Sequence, residues 1–155
     1  MKAPIEMRSS NLRVTKRFTD HDKDRFLQEA FEYIAKFFEN TLTELTNRKP
    51  DIEGKFRRID ANRFTAVAYR DGEAVARCSI RLGEGGFTGG ISYSHNDSAS
   101  SNSFNESLSV ENDDQALYLK PLGMSMRHAN SEGKLSPEGG AEFYWSLFIE
   151  PLQRG

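Results

Sequence analysis

The chain predicts an α+β fold: a long N-terminal helix and a short C-terminal helix packed on one face of a six-stranded antiparallel β-meander. Three observations carry this. Apolar residues recur at helical steps over Asp20–Arg48, the period changes to two between residues 55 and 120, and Ser136-Pro137 opens a second helical pattern.

In the first helix, Leu27, Ala30, Phe31, Ile34, Ala35, Phe38, Leu42 and Leu45 form one stripe. Gln28, Glu29, Glu32, Lys36, Glu39 and Asn40 take the other side. Thr19 or Asp20 supplies the N-cap, acids fill the first turn, and Lys49-Pro50 ends it. A stripe this apolar needs a partner surface.

The partner is the strand section, with expected strands at 55–60, 63–70, 73–82, 87–95, 103–111 and 115–120. Asp71-Gly72 is the strongest turn between them, because glycine accepts the positive φ of a tight hairpin. Closing each hairpin symmetrically about its turn gives one apolar face. It holds Phe56, Val67, Tyr69, Ala76, Cys78, Ile80, Leu82, Phe87, Ile91, Tyr93, Phe104, Leu108, Val110, Leu117 and Leu119. The last helix is expected over Glu138–Glu150, N-capped by Ser136 and stopped by Pro151, with Ala141, Tyr144, Trp145, Phe148, Ile149 and Leu152 facing inward.

At 155 residues the expectation is one α+β domain over 20–155, preceded by a basic arm or edge strand at 1–19 that carries Lys2, Arg8, Arg13, Lys16 and Arg17 against Glu6. A net charge of −2 argues against a wholly electrostatic nucleic-acid binder. The lone cysteine, Cys78, permits no internal disulfide. With no signal pattern and no long apolar run, this predicts a soluble, cytoplasmic protein without a membrane span.

The opposite sheet face is the first candidate site. The same registers place Arg57, Ala66, Arg77, Ser92, Ser107 and Lys120 in one row, with Ser79, Arg81, Thr88, Asn105, Ser109 and Tyr118 around it and Glu73 and Glu111 toward the strand ends. Arginine forks and hydroxyls suit an anion, so Arg57, Arg77, Arg81, Ser92, Ser107 and Lys120 are the expected ligand-binding residues. Single-stranded nucleic acid would also need aromatic platforms, for which Tyr118 and Phe64 are the candidates. An antiparallel sheet covered on one side is polar on the other in any case, which is the plainer account of the same residues.

Glu106 is the anomaly on the apolar face. Its register partner is Tyr93, and His95 follows two residues later, so Tyr93, His95 and Glu106 form an alternative site: a carboxylate whose pKa an apolar setting would raise for acid or base work under the 122–134 loop. The plainer account is a structural carboxylate that accepts a hydrogen bond from Tyr93.

Leu82-Gly-Glu-Gly-Gly-Phe-Thr-Gly-Gly90 resembles the nucleotide-covering loop of protein kinases, but Thr88 stands at the sixth motif position and no strand lysine, H-R-D or D-F-G follows. It is read as a glycine-rich hairpin. His21, His95 and His128 sit on separate elements without ligand spacing, so no metal and no cofactor are expected. Cys78 points into the expected core and is read as a packing residue.

These readings add up to a non-enzymatic binding or regulatory module whose open face holds an anionic small molecule or an acidic protein partner. A small-molecule enzyme and a single-stranded nucleic-acid binder are the alternatives. A homodimer through Tyr33 and Phe37, at the edge of the helix stripe, is a further reading.

Overall fold

The computed structural model describes residues 15–83, 90–96, 105–122 and 133–154. Elements follow in the order α1 (Asp20–Arg48), β1 (Ile52–Asp60), β2 (Arg63–Arg70), β3 (Glu73–Leu82), β4 (Ile91–Ser94), β5 (Glu106–Asn112), β6 (Leu117–Pro121) and α2 (Pro137–Arg154). All neighbouring strands pair antiparallel in the sheet order β1-β2-β3-β4-β5-β6. The α+β architecture read from the sequence is the one observed.

Helix α1 begins in a capping box: Thr19 Oγ1 accepts from Asp22 N, and the Asp22 carboxylate accepts from Thr19 N. Its buried stripe of Leu27, Ala30, Phe31, Ile34, Ala35, Phe38 and Leu42 lies on the sheet. Phe64 is fully buried there, its ring 5.7 Å from Phe31, 5.4 Å from Phe38 and 5.2 Å from Phe56. Leu42 rests on small residues: Gly54, Ala68 and Ala76 share one row, and a Cβ on Gly54 would come within 2.6 Å of Leu42 Cδ2. This close approach explains why β1 starts at Ile52 and not at 55, since Gly54 is part of the strand and its N–H donates to Thr46 Oγ1. Arg58 ties the same edge to the helix, with two hydrogen bonds to the Glu32 carboxylate and its guanidinium 5.3 Å from the Phe31 ring centre.

Helix α2 opens as expected, with Ser136 Oγ accepting from Gly139 N. It does not stop at Pro151 but continues to Arg154. Proline removes one helical donor, yet the last turn is anchored from outside: Leu152 is buried, and Arg70 donates to its carbonyl at 3.0 Å. Gly140 lets α2 approach the sheet, where a Cβ would meet Leu119 Cδ1 at 2.8 Å.

The strand faces correct the sequence reading at three places. In the first two hairpins the symmetric register holds beside the turn and is then shifted by a β-bulge, with Ile59 extra in β1 and Val75 extra in β3. Each bulge exchanges the faces of the partner strand. Phe64 and Ala66 therefore face the helices and are fully buried, while Val67 and Tyr69, expected inside, lie outside the core cluster. The β3–β4 hairpin closes where Gly83 N donates to Gly90 O, and on its other side Gly90 passes close to β5, where a Cβ would come within 2.8 Å of the Leu108 carbonyl. Ser92 is consequently opposite Arg81 and not Arg77. The β5–β6 turn is set by Asp113, whose Oδ1 accepts from Gln115 N and Ala116 N, so Lys120 pairs with Ser109 and not Ser107. The expected positions of Phe87, Thr88 and Phe104 lie outside the described residues. No helix among the described residues is long and apolar enough to cross a membrane.

Candidate functional site

The face turned away from both helices carries two adjacent cross-strand rows. One reads Arg57, Thr65, Ser79, Ser94, and the other Arg63, Arg81, Ser92, Ser107. Strands lie about 4.8 Å apart and same-face neighbours about 6.6 Å apart along a strand, so the eight residues occupy a patch of roughly 15 by 7 Å. Three arginines and five hydroxyls stand in it, and on β1 the second row continues to Asp60, the register partner of Arg63.

Five outward residues of this face are almost inaccessible. Arg63, Thr65 and Val67 are each 8% exposed, Ser79 is 5% and Ser94 is 9%. Outward strand residues of a half-covered sheet are ordinarily solvated. Here the middle of the face is buried, and a charged group lies among the buried residues.

Arg63 is that group, and the sequence reading missed it because the unbulged register sent Phe64 outward in its place. Its Nε donates to Ser79 Oγ at 3.1 Å. Leu82 N donates to Asn62 O, so the next pair, Arg63 and Arg81, takes the narrow position of the ladder, where facing Cα atoms are about 4.5 Å apart. Burial first, and then the Arg81 charge, hold the Arg63 pKa below the usual guanidinium value, with Asp60 opposing both. Asp60 closes β1 directly opposite Arg63, and its Oδ1 accepts from Asn62 N.

The other expected site residues divide. Arg57, Arg81, Ser92 and Ser107 fall within the two rows, and the Ser92–Ser107 pairing is as expected. Arg77 is exposed one row further along, opposite Val67, and Lys120 is exposed on β6 beside Ser109. Ala66 leaves the face altogether. So does Phe64, which removes one of the two aromatic platforms, and the other, Tyr118, has Lys134 Nζ 5.2 Å from its ring centre.

The alternative constellation is assembled as expected, with Tyr93 and Glu106 buried and His95 exposed. Glu106 pairs with Tyr93, and the two are 1% and 0% exposed beneath Tyr144 of α2, whose ring centre is 5.1 Å from that of Tyr93. Glu106 Oε1 accepts from Ser107 N at 2.9 Å. His95 Nδ1 is 3.5 Å from the Tyr93 hydroxyl, and burial lowers its pKa against the pull of Glu150. Burial first, then Cys78, raises the Tyr93 hydroxyl well above its ordinary value; burial and then Glu106 do the same for Tyr144, which donates to the Ile91 carbonyl. The buried carboxylate and phenols form a polar inclusion in the core that links α2 to β4 and β5. Among the described residues, no three His, Cys, Asp or Glu side chains are grouped as metal ligands.

No solved structure matches the chain. It is 53% identical over 146 residues to "Uncharacterized protein y4lF" of Sinorhizobium fredii (strain NBRC 101917 / NGR234). That alignment covers 94% of this chain and 45% of the relative, so the chain spans less than half of the relative's length. The family described as the Y4lF protein domain matches residues 53–150, which takes in both rows of the outer face and most of α2 but not α1. On that match and that identity, the chain belongs to the Y4lF protein domain family.

Proposed function

We propose that this domain is a non-enzymatic binding or regulatory module of the cytoplasm that holds an anion, or an acidic partner group, on the outer face of its sheet. The reading rests on three arginines, Arg57, Arg63 and Arg81, standing in two adjacent rows of the face that neither helix covers, against the one carboxylate of Asp60. Arginine forks suit an oxyanion or a carboxylate. Ser79, Ser92 and Ser107 add hydroxyl donors within the same two rows.

The test is amide chemical-shift mapping at low salt against a panel of phosphate, nucleotides, polyphosphate and short single-stranded oligonucleotides. Saturable shifts clustered at residues 57, 63, 79, 81, 92 and 107 are expected. Shifts scattered over exposed lysines, or none at all, would remove the reading. A steep salt dependence with oligonucleotides alone would favour the nucleic-acid alternative.

A further inference from the structure

We infer that the outer edge of the sheet, at β1, takes up an extended segment of another protein in which acidic residues alternate with apolar ones. The inference goes beyond the reading above, which concerns the outer face, and shares only Arg57 with it.

Backbone direction comes first. Asp71 N donates to Asp51 O across the first hairpin, so residues 53, 55 and 57 of β1 bond to β2, while 52, 54, 56 and 58 turn their backbone groups away from it. β1 begins the strand order, so no strand stands on that side. The chain closes the two ends of this edge itself. Ile52 N donates to Lys49 O at 2.9 Å and Gly54 N to Thr46 Oγ1 at 2.8 Å, and further along the Arg58 guanidinium donates to the carbonyls of Asp60 and Ala61. Between these closures the Gly54 carbonyl, the Phe56 N–H and C=O and the Arg58 N–H face outward, the pattern that strand addition uses.

Side chains of an added strand would alternate between two surroundings. On the helix side, a cavity of about 260 Å³ lies between α1 and β1, lined by Ala35 and Phe56 with Glu32, Lys36, Glu39 and Arg58 around them. It is smaller than the roughly 300–1,000 Å³ of small-molecule pockets and suits one apolar side chain, that of the residue opposite Phe56. On the outer side Lys55 and Arg57 are exposed, and neither forms an ion pair among the described residues. Glu53 and Asp60, the acids of β1, lie toward its two ends, where the edge is already closed. Acidic side chains opposite Lys55 and Arg57 would make favourable cross-strand pairs.

The same charges disfavour a second copy of this chain. Antiparallel pairing that bonds Phe56 to Phe56 of a second copy puts each Arg57 opposite a Lys55, and the register that bonds Phe56 to Arg58 puts Arg57 opposite Arg57. Like charges directly opposite one another are destabilising, so the residues that guard this edge against its own kind select an acidic strand.

The probe is a capped heptapeptide of alternating valine and glutamate, titrated into the full chain at low salt and followed by amide shifts and hydrogen exchange. Saturable shifts centred on residues 54–58 are expected, with exchange of the Phe56 and Arg58 amides slowed by about tenfold or more at saturation. The same peptide with its valine amides methylated keeps its charges but loses the donors that pair with Phe56, and should not bind. Lys55→Glu combined with Arg57→Glu, both at exposed positions, should weaken binding by about tenfold or more at low salt with the fold retained. No response at residues 54–58, or equal binding of the methylated peptide, would overturn strand addition. Equal binding of a peptide of alternating valine and lysine would overturn the acidic selection. Protection of Phe56 and Arg58 that grows with protein concentration in the absence of peptide would assign the edge to a second copy instead. The phosphate panel above reads residues 63, 79, 81, 92 and 107, so failure of either reading leaves the other standing.

Discussion

Arg63 and Arg81 stand opposite one another at a narrow position of the β2–β3 ladder, on the sheet face that neither helix covers. On the other side Asp60 of β1 faces Arg63, so Arg63 stands between a carboxylate and a second guanidinium. Asp60→Asn is therefore expected to lower the unfolding free energy by about 0.2–1 kcal/mol at low salt, with the loss shrinking as salt screens the pair. Urea unfolding at two chloride concentrations measures it, and a gain of stability at low salt would contradict the account.

The bulges at Ile59 and Val75 decide which residues of β2 face the helices. Phe64→Ala should cost about 3–5 kcal/mol, because the ring is fully buried among Phe31, Phe38 and Phe56. The unbulged register would leave Phe64 on the open face, where the same change stays within about 0.5 kcal/mol.

Gly54 has to be glycine because Leu42 leaves no room. A Cβ there would lie 2.6 Å from Leu42 Cδ2 and 3.0 Å from Leu42 Cβ, so Gly54→Ala should destabilise by about 1–3 kcal/mol. Combining it with Leu42→Ala should cost less than the sum of the two single changes, and strict additivity in a double-mutant cycle would refute the contact.

Tyr144→Phe tests the polar inclusion. Removing the hydroxyl deprives the Ile91 carbonyl of a donor in a fully buried setting, with an expected loss of about 1–3 kcal/mol.

Asp113 gives the β5–β6 turn a pH dependence. Hydrogen bonds from Gln115 N and Ala116 N, then from Lys134, lower its pKa to about 2 from 3.8. A depressed carboxylate contributes stability that is fully present above its unfolded value and is lost as pH falls through the folded one, so the window runs from near 3.8 down to about 2. Amide hydrogen exchange of Gln115 and Ala116 should accelerate, relative to the rest of the sheet, within that interval. In Asp113→Asn the relative change should vanish.

Much of this architecture is legible in the chain because its signals are local and strong. The Thr19 cap, the stripe from Leu27 to Leu42 and the Asp71-Gly72 turn, with φ of 52° and 87°, each follow from residue chemistry within a few positions. The bulges do not. Ile59 and Val75 are β-branched residues that suit a regular strand, and Phe64-Thr-Ala-Val-Ala-Tyr69 is apolar on both of its alternating sets, so period two cannot assign its faces. Gly54, Ala68 and Ala76 carry the signal that resolves it, a row of small residues where a helix comes close. The candidate site inherited the same ambiguity: Arg57, Arg81, Ser92 and Ser107 were legible from alternation, whereas Arg63 emerges only once the bulges are placed. Tyr93 and Glu106 were legible as a pair, but their burial under Tyr144 depends on where α2 lies on the sheet, which no local pattern encodes.

The most direct measurement of the central claim is a phosphate titration at low ionic strength followed through the arginine side-chain Nε–Hε resonances. The account predicts that Arg63 and Arg81 shift together along one saturable curve, and that Arg81→Gln abolishes the Arg63 response. If instead Arg63 stays fixed while exposed arginines such as Arg25 and Arg48 drift without saturating, the outer sheet face is not an anion site.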